Sequence, residues 1–132
     1  MKYMLDTNII AYAKNHRPES VFKLFQNHLS DGLGISSITL AELEYSVCNS
    51  SDPDRNHLAL ASFLSGIEVA LFDAEAARQY GMIRASLKKK GTPIGANDLL
   101  IAAHAKALGV ILVTNNMREF DRVEDLLVEN WA

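Results

Sequence analysis

Four short apolar runs each stop at a polar residue, after which a helical pattern or a turn takes over, and this alternation constrains the chain more than any other feature. The runs are Tyr3-Met4-Leu5 before Asp6, Leu33 to Ser36, Ile67 to Phe72 before Asp73, and Val110-Ile111-Leu112-Val113 before Thr114. A fifth, Leu126-Leu127-Val128, reads as a last edge strand. Strands this short and apolar on both faces are covered on both sides, and helices between them predict a parallel sheet. The pattern therefore predicts an α/β fold: a three-layer α/β/α domain over residues 1–132, with a short central parallel sheet of about five strands flanked by helices. In such a sheet, ligands bind beyond the carboxyl ends of the strands, at a switch in strand order.

The segments between the runs carry helix signals. Asp6-Thr7-Asn8 can cap a helix bearing Ile9, Ile10 and Tyr12, and Pro18 opens an amphipathic stretch with Val21, Phe22, Leu24, Phe25 and Leu29 that closes at Asp31-Gly32. Thr39 is the predicted cap of a helix running to about Ser50. Ser50-Ser51-Asp52-Pro53 reads as a break, with Asp54 starting the next helix to Gly66. Asp73 caps a long helix in which Ala76, Tyr80, Ile83 and Leu87 recur at 4-3-4 spacing and which ends in three lysines. After the loop Gly91 to Gly95, a helix from about Ala96 to Leu108 ends at Gly109.

Composition removes several classes. With 48% hydrophobic residues and a net charge of -3 the chain is not of the disordered type, and no apolar stretch approaches the roughly 20 residues a bilayer demands. The first residues carry one cation and a short apolar run before an acid, without the long apolar region of a secretory signal, so a cytoplasmic location without membrane attachment is expected. The single Cys48 excludes an intramolecular disulfide and a cysteine-rich zinc site, and its place beside Leu40, Leu43 and Val47 predicts packing.

The acidic excess is not uniform. Between Arg78 and Lys106 stand six cations (Arg78, Arg84, Lys88, Lys89, Lys90, Lys106) and one acid, Asp98, which leaves seven cations and fifteen acids elsewhere. Arg84, Lys88, Lys89, Lys90 and Lys106 are candidate contacts for a nucleic-acid backbone, though lysines at a helix end also suit the macrodipole.

Chemistry concentrates at the predicted strand ends. Asp6 follows the first strand, Glu42 lies one turn into the helix after the second, Asp98 opens the helix before the fourth, and Thr114-Asn115-Asn116 follows it. Taken singly, Asp6 and Asp98 can be helix caps. Taken together, carboxylates at one end of one sheet demand protonation or a counter-ion, and a hard divalent cation such as Mg²⁺ supplies the latter. Glu44 lies two residues from Glu42 and points nearly the opposite way, and spacing alone does not choose between them. Glu119 and Asp121 can also contribute. His16, His28, His57 and His104 are scattered without metal or nucleophile spacing, and Gly91 and Gly95 lack the ending of a phosphate-binding loop.

These residues carry a resemblance. Asp6-Thr7-Asn8, the stretch Ile35 to Leu43, Asn97 to Ala105, and Leu112 through Phe120 together resemble the PIN-domain ribonucleases, specifically the VapC toxins of bacterial type II toxin–antitoxin operons. The resemblance implies a Mg²⁺-dependent endoribonuclease, with Mn²⁺ able to substitute, in which Asp6, Glu42 and Asp98 match the metal-binding acids. It selects Glu42 over Glu44, because the family's glutamate follows the stretch represented by Ser36 to Thr39. Thr114 matches the threonine ending the central strand, with Asn8 and Glu119 in supporting places. Asn116 stands where many members carry aspartate, so the fourth carboxylate is absent or supplied by Glu119. Ser46 replaces a common glycine.

The implied reaction is attack of a metal-activated water on a phosphodiester, with Glu42 orienting or deprotonating it, leaving a 5′-phosphate and a 3′-hydroxyl. The implied substrate is structured RNA, particularly tRNA and the anticodon arm of initiator tRNA. The implied partners are a VapB antitoxin, operator DNA bound through it, and a second copy in a homodimer. A receiver-like module needs an acidic pair after the first strand and a phosphatase of the haloacid type needs Asp-x-Asp there; Thr7 and Asn8 break both. A catalytically degenerate protein acting only as a binding partner is the alternative that Asn116 leaves.

Overall fold

A computed structural model describes all of Met1–Ala132. Five parallel strands form one sheet in the order β3-β2-β1-β4-β5. They are β1 (Tyr3–Leu5), β2 (Leu33–Ser36), β3 (Glu68–Ala70), β4 (Ile111–Val113) and β5 (Val128–Glu129). Between them run α1 (Thr7–Asn15), α2 (Glu19–Gly32), α3 (Ser37–Cys48), α4 (Pro53–Leu64), α5 (Ala74–Lys90), α6 (Ala96–Leu108) and the short α7 (Met117–Phe120).

The side-chain alternation of β1 divides the interior in two. Tyr3 and Leu5 enter a core with Ile9 and Ile10 of α1, Val21 and Phe25 of α2, Leu43 of α3 and Leu60 of α4. Met4 points the other way, into a core with Ile83 and Leu87 of α5, Leu99 and Ala102 of α6, and Phe120. One residue of register therefore decides which layer each strand side chain serves. The predicted three layers are present, and no helix is long and apolar enough to cross a membrane.

Local details depart from the sequence expectations, each for a visible reason. Ser36, not Thr39, caps α3: its Oγ accepts from the Ile38 N–H at 3.0 Å, while Thr39 is buried inside the helix. Asp52 caps α4 with Pro53 in the first position, where a missing N–H costs nothing, so Asp54 lies inside the first turn. The third strand stops at Ala70 because the Phe72 N–H is taken by Ser37 Oγ at 3.1 Å, and Leu71 is exposed. The last strand is shifted to Val128–Glu129, with the Thr114 N–H donating to the Glu129 carbonyl. Cys48 is exposed at the end of α3 rather than packed.

The topology fixes where chemistry can occur. From β1 the chain runs outward through β2 to β3 and then returns to place β4 on the other side of β1. The switch in strand order thus lies at β1, and the residues just past β1, β2 and β4 share one end of the sheet.

Candidate active site

Asp6 leaves β1 as its N–H donates to the Val113 carbonyl at 3.0 Å, which continues the ladder to β4. Its Oδ1 caps α1 by accepting from the Ile9 N–H at 2.9 Å, and its Oδ2 accepts from the Thr114 hydroxyl. The carboxylate is only 5% exposed. Burial pushes its pKa up, against hydrogen bonds from Thr114 and Ile9 that pull it down, while the nearby Glu42 charge adds to the rise. Thr114 is itself fixed, because its Oγ1 also accepts from the Asn116 N–H at 2.9 Å.

Glu42 faces this point from α3. Its Oε1 accepts from the Thr7 hydroxyl at 2.8 Å, joining α3 to the first residue of α1. Glu44 turns away and pairs with His57 at 3.5 Å. Asn8 is exposed, and its backbone N–H, not its side chain, serves Asp6.

Asp98 enters from the first turn of α6, where Gly95, not Asp98, is the cap. Asn116 Nδ2 donates at 3.1 Å to Asp98 Oδ2 and at 3.1 Å to Glu119 Oε2, and the two carboxyls are hydrogen bonded to each other. Burial, then the Glu119 hydrogen bond and charge, then Asp6, push Asp98 up to about 7. Glu119 is held low, first by its hydrogen bond with Asp98.

The sequence of which this geometry is built has close relatives. The PIN domain family matches residues 3–126. The chain is 46% identical to a ribonuclease VapC2 of Rickettsia felis over 132 residues, covering 99% of this chain and 98% of the relative. The chain belongs to the VapC ribonucleases of the PIN-domain family. It is also 43% identical to a tRNA(fMet)-specific endonuclease VapC of Salmonella typhimurium, covering 100% and 99%. In solved structures it is similar to the Rickettsia felis VapBC2 complex bound to a promoter DNA fragment, with a TM-score of 0.93, 45% identity and full coverage of both chains. The DNA-bound VapBC of Salmonella typhimurium gives 0.93 at 42% identity, covering 100% and 99%.

The VapC site fits a hard cation by its chemistry. Every donor gathered at the sheet end is an oxygen, and burial first, with neighbouring acids adding to it, makes Asp6 and Asp98 hold protons more tightly than exposed carboxyls, a cost that a counter-ion relieves. No three acids or histidines close into a ready-made cage. Mg²⁺ keeps several waters and takes one or two carboxylates, so an open arrangement suits it.

The candidate cations divide. Arg84 and Lys88 line a cleft that reaches Ala96 and Leu99 beside Asp98. Lys90 is paired with Glu124, Lys106 borders a separate depression with Glu124 and Arg122, and Lys89 is exposed without an ion pair. Sequence reasoning missed Thr7 as the partner of Glu42 and the layer beneath the site, where His104 Nδ1 lies 2.7 Å from Ser36 Oγ. The signal for Thr7 was its place next to Asp6, but a cap motif explained it equally well.

Proposed function

We propose that this VapC ribonuclease is a divalent-metal-dependent endoribonuclease that hydrolyses structured RNA, with tRNA as substrate class and initiator tRNA as the first candidate. The convergence of Asp6, Glu42 and Asp98 at one sheet end, with Asn116 joining Asp98 to Glu119, carries this reading. The tRNA(fMet) specificity of the Salmonella relative supports the choice of tRNA. The VapBC complexes of the related proteins support a VapB antitoxin as partner, with operator DNA engaged in the complex.

Asp6, Asp98 and Glu42 would hold the cation, Mg²⁺ or Mn²⁺. When bound, it supplies an acidified water and charge neutralisation for the phosphodiester. The chain supplies the rest. Thr114 and the Ile9 N–H fix both oxygens of Asp6, so this carboxylate cannot swing away as charge accumulates. Thr7 orients Glu42, whose other oxygen would take the proton of the attacking water. Asn116 bridges Asp98 and Glu119, which keeps Glu119 beside the acids as the candidate fourth carboxylate. Water attack leaves a 5′-phosphate and a 3′-hydroxyl, and the 2′-hydroxyl takes no part.

The test is cleavage of total tRNA by purified, antitoxin-free protein in Mg²⁺, in EDTA, and with Asp6→Ala or Asp98→Ala. Metal-dependent cuts lost in both variants support the reading. Absence of cuts across Mg²⁺ and Mn²⁺ refutes it and favours a degenerate binding protein.

A further inference from the structure

Beside the acids lies a cleft of about 460 Å³, within the size range of small-ligand sites. Its walls are Tyr80, Arg84 and Lys88 of α5, Pro93 and Ile94 of the following loop, and Leu99 of α6. Tyr80, Arg84 and Lys88 recur every four residues and so share one helix face. Tyr80 is half-buried, and Arg84 donates to its hydroxyl at 2.8 Å with the guanidinium 5.8 Å from the ring centroid. The ring is thereby held against the wall. No acid lines this cleft, and neither Arg84 nor Lys88 is in an ion pair, in contrast to Lys90.

The cleft and the acids meet at the start of α6. Ala96 and Leu99 line the cleft, while Asp98 lies between them in sequence. A Cβ at Gly95, next to Ala96, would stand 3.7 Å from carboxylate oxygens of both Asp98 and Glu119, so the backbone beside the cleft runs close to the acids.

We propose that this cleft seats one unpaired nucleotide of the RNA next to the scissile phosphate, its base against Tyr80, Pro93 and Ile94 and its phosphate against Arg84 and Lys88. The proposal deepens the ribonuclease reading above and rests on it. An aromatic face with cations at the rim is the combination that holds single-stranded nucleic acid. Sequence-selective RNA binding depends on bases splayed out of loops, which a fully paired duplex does not offer. Two uncompensated cations without an acid among the lining residues favour a phosphate over a neutral apolar peptide.

The experiment measures binding in EDTA, where no cleavage interferes, of total tRNA and of a fully paired RNA duplex across a KCl series. The proteins are the full chain and its Tyr80→Leu, Arg84→Gln and Lys88→Gln variants, with Lys23→Gln on the opposite layer as control and thermal melts to verify folding. Tyr80→Leu is expected to weaken tRNA about tenfold and to leave the duplex unchanged. Arg84→Gln and Lys88→Gln are each expected to reduce the slope of log K against log salt by about 1. Ultraviolet cross-linking of the wild-type complex is expected to place a nucleotide adduct on Tyr80. Folded variants that bind tRNA like wild type overturn the cleft proposal. Absence of Mg²⁺-dependent cleavage by wild type would sink the ribonuclease reading, whereas unchanged RNA binding by the variants would sink the cleft alone.

Discussion

The Thr114 hydroxyl, at the end of β4, donates to the carboxylate of Asp6, at the end of β1, and accepts the Asn116 N–H on its other side. The two residues are 108 positions apart in sequence and adjacent across the centre of the sheet. Replacing Thr114 by Val keeps the shape and removes both contacts. Asp6 then loses the strongest influence holding its pKa down, so the rising limb of the kcat/KM profile shifts to higher pH. Thr114→Ser restores the wild-type profile, whereas a purely steric role would leave both variants alike.

In the metal-free protein the buried carboxyls contribute a loss of stability as pH rises from about 4 to about 7, and the buried His104 contributes in the opposite sense. In this window native Asp98, pushed up to about 7, keeps a proton that the unfolded chain has released, and Asp6 acts in the same sense. Glu119 is held below its ordinary range and contributes oppositely only at lower pH. Asp98→Asn removes the penalty. In EDTA at about pH 8 its Tm is expected to exceed that of wild type by about 3 °C, with the difference gone at about pH 4.

At the proposed site Mg²⁺ would compete with the Asp98 proton, so its stabilising effect is expected to grow with pH. Melting curves with and without saturating Mg²⁺ are expected to separate more at about pH 8 than at about pH 6. Equal separation at both pH values would place the cation away from Asp98.

Thr7→Val leaves Glu42 without its 2.8 Å donor while keeping the side-chain volume. A hydrogen bond to a charged group contributes about 1.5–3 kcal/mol, so kcat is expected to fall by roughly tenfold to a hundredfold with KM little changed. Recovery in Thr7→Ser distinguishes orientation of the carboxylate from loss of the methyl group.

His104 is 1% exposed and its pKa is lowered chiefly by burial. A group held below its unfolded value contributes stability that is lost as pH falls through its folded pKa. His104→Asn keeps a donor near Ser36 Oγ without the titration. Below about pH 6 the wild-type Tm is expected to fall more steeply than that of the variant.

Much of the fold was legible because its strands are buried on both faces and its helices carry capping residues. Asp6 and Asp73 read correctly as caps, since each begins a helix directly after an apolar run. Ser36 did not, because three hydroxyl residues follow one another within four positions and only tertiary packing buries Thr39. Asp6 and Glu42 were legible as candidates from their places after strands, and Asp98 from its place at the start of the helix before β4. The Asp98–Asn116–Glu119 bridge was not, because it depends on the exact turn of α7 relative to α6. The lysines read as one patch, yet a single residue, Glu124, removes Lys90 from it.

The wide sequence separation of Asp6 from Thr114 also governs when this contact can first form. A ribosome has made most of the polypeptide before the donor that immobilises Asp6 exists, and Glu129 of the last strand must still arrive to pair with the Thr114 N–H. The anchored form of Asp6 therefore exists only once synthesis of the chain is almost finished.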